Sequence, residues 1–201
     1  MINTLIEKIK DTYIADINFA DRNFGLVRIH REKVPNKDNS GTIEKVYPVY
    51  LNQSTDSNKP GKEVHAIPDS NFKSLSYHEL TGTPTLSPLG NGRFKYTATL
   101  RNVWWINGAK CDATLNTIDN YILNVLKYFP ERIGNFSDMA QIYVEITGTE
   151  VTPSIFGAFS YDEANKQYLT LPYLYFAVAY RVSFIVHKDC IADITLQPSS
   201  C

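Results

Sequence analysis

The feature that most constrains this chain is an apolar run at residues 173–186 that alternates with a period of two. Leu174, Phe176, Val178, Tyr180, Val182, Phe184 and Val186 form one series, and Tyr173, Tyr175, Ala177, Ala179, Arg181, Ser183 and Ile185 form the other. Successive side chains of a strand point to opposite faces, so this spacing predicts a long strand with its larger apolar face on a core. A stretch of this length also raises the question of a membrane span. Pro172 and Arg181 interrupt it and its period is not helical, so a buried strand is the better reading. If both faces of the strand are used, something must cover the second, and a neighbouring subunit is a natural candidate.

Three other segments carry a clear period. Ile2, Leu5, Ile6, Ile9, Tyr13 and Ile17 recur at helical spacing, and Thr4 with Glu7 has the form of a capping box, which predicts a helix over residues 4–16. Residues 93–106 alternate, with Phe94, Tyr96, Ala98 and Leu100 on one side and Arg93, Lys95, Thr97, Thr99 and Arg101 on the other. Residues 112–129 predict the best helix, with Leu115, Ile118, Ile122, Val125, Leu126 and Phe129 in one stripe, a cap at Asp112 or Thr114 and a stop at Pro130. Shorter strands are expected at 24–30, 43–51 (where Pro48 favours an edge) and 141–151. Residues 31–42 and 52–62 read as polar loops, and 64–88 has no assignable period. The expected class is α+β: a twisted antiparallel sheet with an N-terminal helix and a second long helix packed on one face, plus long loops. The expected organisation is a single domain, 1–201, with a loop-rich insertion at about 52–90.

At 43% hydrophobic and 20% charged, the chain has a folded rather than a disordered composition. The net charge of −1 gives no overall drive toward nucleic acid or membrane. Residues 22–101 carry twelve Lys/Arg against seven Asp/Glu, or +5, and residues 102–201 carry six against ten, or −4. Lys33, Lys37, Lys45, Lys59 and Lys62 lie in the basic half. Three cysteines, Cys111, Cys190 and Cys201, without a C-x-x-C spacing fit a reducing compartment better than a disulfide framework. The first residues lack the unbroken apolar stretch of a signal peptide.

Reactive motifs are scarce. His30, His65, His78 and His187 have no metal-pair spacing, and no Gly-x-Ser-x-Gly or phosphate-binding glycine loop is present. Cys111 precedes a predicted helix start, where the dipole could lower a thiol pKa, but a nucleophile needs a base that sequence alone does not place. Asp162 and Glu163 read as solvated charges. Trp104 and Trp105 are neighbours on a predicted strand, so at most one is expected in the core. The other is left for a subunit contact or for stacking on a sugar or base.

The order of elements resembles that of tail terminator and neck-ring (head–tail connector) proteins of tailed bacteriophages. The segments that carry the resemblance are the amphipathic helix at 4–16, the basic hairpin at 24–51, the helix at 112–129 and the ending, Gln141-Ile-Tyr-Val-Glu-Ile146 followed by the aromatic-rich strand from Leu171 to Phe184. The stretch 52–88 departs from it as an insertion. The resemblance implies a virion structural protein, with no catalytic residues, no cofactor and no metal. It would form a homo-oligomeric ring, a hexamer or dodecamer, between portal and tail or at the end of a tail tube, assembled in the host cytoplasm. Contacts are expected from Lys33, Lys37, Lys45, Trp105, Tyr173, Tyr175 and Arg181. The basic residues would face either channel DNA, non-specifically, or acidic surfaces on a partner ring. Two rival readings are a carbohydrate-binding module using the exposed aromatics and a hydrolase using Cys111 or His78.

Overall fold

The alternating run at 173–186 is a strand, and it sits at the centre of the molecule. The computed structural model describes residues 1–36, 41–52, 61–111, 117–156, 159 and 169–189. In chain order the elements are α1 (Ile2–Tyr13), β1 (Arg22–Leu26), β2 (Arg28–Pro35), β3 (Thr42–Asn52), β4 (Lys62–His65), β5 (Ser74–Leu80), β6 (Thr85–Gly90), β7 (Arg93–Asn107), α2 (Ile118–Tyr128), β8 (Arg132–Ile133), β9 (Met139–Glu150) and β10 (Tyr173–His187). Short 3₁₀ turns lie at Ile14–Asp16, Gly108–Lys110 and Pro153–Phe156.

β7 and β10 pair antiparallel from Asn107 opposite Tyr173 to Arg93 opposite His187. Around this pair a seven-stranded sheet runs in the order β1-β5-β7-β10-β9-β8, with β6 also on β7. β5 takes the half of β7 near Trp105 and β6 the half near Lys95. The register is held where the two long strands begin and end. Gly108 N–H donates to Pro172 O at 3.1 Å, and a Cβ on Gly108 would meet that oxygen at 2.7 Å, so a side chain would push the strands apart.

The face carrying Leu174 to Val186 packs against both helices. Leu5, Ile6, Ile9 and Tyr13 of α1, and Tyr121, Ile122 and Val125 of α2, join Leu100, Trp104, Phe176, Val178, Tyr180, Val182 and Phe184 in one buried cluster. Each large apolar side chain so buried contributes roughly 1.5–3 kcal/mol. The opposite face has its own core. Trp105, Val103, Leu75, Tyr77 and Ala177 pack with Ile155, Phe156 and Phe159, and with Val27, Val46 and Ala66 from the region of a second sheet, β2-β3-β4.

Several expectations need correction. The fold is not an antiparallel sheet carrying a second long helix. It is mostly β, a curled mixed sheet forming a half-barrel with a separate three-stranded sheet beside it. It is mixed because β1 enters parallel to β5. The second sheet arises because the chain leaves the main sheet after Val27, whose N–H donates to His78 O at 2.8 Å, and among the described residues the β2–β3 hairpin then pairs with itself and with β4. α2 has 11 residues and begins at Ile118; the Asp112 and Thr114 caps lie outside the described residues. Phe129 turns extended before Pro130, which disfavours the helical region for its neighbour.

The segment read as loop-rich carries β4, β5 and β6, and β5 is an interior strand. Its period is hidden because one face bears Ser74, Ser76 and His78, all buried. Ser74 Oγ donates to Phe19 O at 2.8 Å and Ser76 Oγ to Asn23 Oδ1 at 2.7 Å, so these polar groups are satisfied inside. Pro48 is on the middle strand of the second sheet rather than on an edge strand, one residue short of where β4 begins to pair at Val49. The capping box is not formed either: α1 starts at Ile2, and Glu7 accepts from Lys10 at 2.6 Å.

Trp104 and Trp105 are both fully buried, one on each face. The expectation that only one joins the core fails because the chain supplies its own cover for the second face. Trp105→Ala is expected to destabilise the fold by about 3–5 kcal/mol in urea unfolding. A Trp105 exposed for a partner would give a change near zero.

Candidate functional site

Three groups of polar residues could carry function: one in the core, one half-buried on the second face, and one on the surface. The core group is Tyr13, His78, Asn102, Trp104 and Tyr180. His78 of β5 and Asn102 of β7 are opposite in register, as are Tyr180 of β10 and Leu100 of β7, so the sheet brings these side chains onto the face that α1 covers with Tyr13. His78 Nδ1 lies 2.8 Å from Tyr180 Oη, and Nε2 lies 3.4 Å from both Tyr13 Oη and Asn102 Nδ2. Tyr13 Oη donates to Asn102 Oδ1 at 2.9 Å, Trp104 Nε1 donates to the same oxygen, and Asn102 Nδ2 donates to Tyr77 O at 3.2 Å.

A neutral imidazole, with one donor and one acceptor nitrogen, fits this setting. Burial, helped by the charge of Lys10, pushes the His78 pKa down to about 3, and burial raises the tyrosine hydroxyls above their ordinary value. All five side chains are inaccessible to solvent. A general base must reach a substrate, and none reaches this one.

On the second face, Arg101 bonds Glu79 and reaches Glu150 at 3.4 Å and Ile155 O at 3.1 Å. Burial raises the Glu79 pKa against the pull of Arg101, while hydrogen bonds led by the Ser154 hydroxyl hold Glu150 low. This network ties the Pro153–Phe156 turn to the sheet. Cys111 follows the Gly108–Lys110 turn, and partial burial raises its thiol pKa, the opposite of activation. Among the described residues no group of three His, Cys, Asp or Glu could hold a metal ion, and no helix is long and apolar enough to cross a membrane. Cys190, Cys201, Asp162 and Glu163 lie outside the described residues.

The surface group is the β2–β3 ribbon. Its strands pair from Arg28 opposite Val49 to Pro35 opposite Thr42, but β4 reaches only Val49 to Asn52, so the distal part is two strands wide among the described residues. A two-stranded hairpin alone is marginally stable in water. Lys33 and Lys45 both sit here, each opposite a carboxylate residue: Lys33 faces Glu44 and Glu32 faces Lys45. Lys37 and Lys59 lie outside the described residues. At the ribbon base Tyr47 stacks on His65, ring centres 5.2 Å apart. Beside it a cleft of about 490 Å³ is lined by Leu26, Ile29, Leu51 and Leu80 with Arg28 and Glu79.

Of the other residues singled out in the sequence, Trp105, Tyr173 and Tyr175 are brought together, but inside the chain. Trp105 stacks on Tyr173 at 5.0 Å, and Tyr175 meets Phe156 edge-on at 5.6 Å. The two tyrosines are half-buried and line a groove of about 300 Å³ with Leu169 and Leu171. Arg181 is exposed and bonds Glu145 at 3.1 Å, a surface pair worth about 0–1 kcal/mol. Sequence reasoning missed the His78 and Arg101 networks. One signal was present: Asn102 is the single polar residue in the series Phe94, Tyr96, Ala98, Leu100, Asn102, Trp104, Ile106.

The buried imidazole gives a pH dependence. Its folded pKa, about 3, lies below the ordinary 6.5, so the stability it contributes is present above pH 6.5 and is lost as pH falls toward 3. Stability is expected to drop by about 1.4 kcal/mol per pH unit in the acid part of that window from this group alone. His78→Gln, compared with the parent by urea unfolding at a series of pH values, should lack that slope. An equal slope in both would contradict the assignment.

No family model, no curated protein and no solved structure matches this chain, so its function is argued from this geometry.

Proposed function

We propose that this chain is a virion structural protein of the phage neck or tail that acts by assembly: copies form a ring, a hexamer or dodecamer, that joins or terminates the tail or portal channel. The observation that carries the proposal is the β2–β3 ribbon, a basic two-stranded element whose distal part has no third strand among the described residues. Long hairpins of this kind are contact elements, because their unpaired edges accept another strand. The order of segments that resembles tail terminator and neck-ring proteins supports the same reading. So does the sealing of the conspicuous His78 inside the core.

The partners are further copies of the chain and the adjoining portal or tail-tube proteins. The basic ribbon meets an acidic protein surface or, non-specifically, channel DNA. The protein belongs to the virion after assembly in the host cytoplasm. The carbohydrate-binding alternative has less support, since Trp105, the tryptophan it would place at the surface, is buried along with Trp104.

Negative-stain imaging of the purified chain, alone and mixed with the portal and tail-tube proteins of the same particle, tests the proposal. A ring with a central hole is the expected result in at least one of the two settings. A strict monomer in both, absent from purified particles, contradicts it.

A further inference from the structure

Several strand edges are open among the described residues, those of β4 and β6 included, and two of them, the outer edge of β2 and that of β9 beyond Val144, carry opposite charge. β2 pairs only with β3 among the described residues. It bears Arg28, Arg31 and Lys33 against Glu32, with its cationic side chains exposed. β9 pairs with β10 along its inner side, but on its outer side β8 reaches only Ile142 and Tyr143, with Val144 N–H donating to Glu131 O at 2.9 Å. Beyond Val144 nothing described pairs with that side. Residues 145–149 are exposed, Ile146 is 38% exposed, and a Cβ added at Gly148 would meet nothing within 4 Å. β9 carries Glu145 and Glu150 and neither Lys nor Arg.

We infer that these two edges meet between copies: the outer edge of β2 in one copy adds to the outer edge of β9 at residues 145–149 in the next. The inference rests on the ring proposed above and names its contact. The two patches differ, so the contact is heterologous, the kind that closes into a ring rather than stopping at a dimer. Strand addition supplies main-chain hydrogen bonds to edges that have no partner among the described residues, and the charges select the partner. Arg28, Arg31 and Glu145 are already paired within the chain to Glu63, Glu44 and Arg181, but these pairs are exposed and contribute little, so exchange between copies is open to them.

Charge reversal tests the contact in the full chain. Arg31→Glu/Lys33→Glu makes the β2 edge acidic, and Glu145→Lys/Thr149→Lys makes the β9 edge basic. Sedimentation should show each variant assembling at least about tenfold more weakly than the parent. An equimolar mixture of the two should reassemble, because each reversed edge then meets an oppositely charged one. A Lys33→Cys/Thr149→Cys chain with its three native cysteines changed to Ser should form a disulfide-linked ladder under mild oxidation. That readout leaves the charges of β9 unreversed and does not depend on the reversed variants folding. If the parent forms rings while the variants assemble as well as it does and no ladder forms, this contact is wrong and the ring proposal stands. If the parent is monomeric alone and with its particle partners, the ring proposal fails and this contact fails with it.

Discussion

The rest of the structure depends on the fifteen-residue antiparallel pairing of β7 with β10. Neither strand could be stable alone, and each presents an apolar series that must be buried. Paired in one register, they place Leu100, Trp104, Phe176 and Tyr180 on one face and Val103, Trp105, Tyr173 and Tyr175 on the other. A slip of one residue would exchange the faces of a whole strand. The close approach of Gly108 to Pro172 at one end opposes such a slip. Every other element covers or extends this pair. α1 and α2 seal the first face, the Pro153–Phe156 turn and residues near the second sheet cover part of the other, and β5 and β9 flank the strands.

This arrangement decides where function can reside. The chain itself covers the first face of the long strand pair and the part of the second around Trp105. The tryptophans, the paired tyrosines and His78 all serve the interior. Among the described residues, backbone edges are left unpaired, those of β2 in the ribbon and β9 beyond Val144 among them. A burial cost also explains the chemistry of the core. His78 stays neutral because charging it would strand a cation among Tyr13, Tyr180 and Asn102, away from water.

Much of the main sheet was legible in the sequence, because β7, β9 and β10 each keep a period of two over many residues. α1 was legible for the same reason at helical spacing, although its start was not. β5 was illegible because its polar face is satisfied by partners far along the chain: His78 by Tyr180, Ser74 by Phe19. No local pattern reports such pairing. The parallel entry of β1 and the separate second sheet follow from where the chain leaves the main sheet at Val27, which is again a tertiary event. Of the candidate site, a basic hairpin was legible but its bounds were not: the expected strand at 24–30 is divided at Val27 between the two sheets, and Lys33, expected in a loop at 31–42, lies on β2. The open edge of β9 was not legible, since whether a strand is an edge depends on the whole strand order. Trp105 was misjudged because alternation says that two faces exist but not that one chain covers both.

The central claim is that the first face of the main sheet and the Trp105 part of the second are closed by the chain itself, and that copies meet at the strand edges of β2 and β9. Hydrogen exchange read by mass spectrometry, compared between dilute and concentrated protein, tests it directly. The account predicts that amides of β2 and of residues 145–149 gain protection as concentration rises, while those of β7 and β10 are slow throughout and unchanged. Protection gained instead over α1, α2 or residues 153–156, with the two edges unaffected, would contradict it.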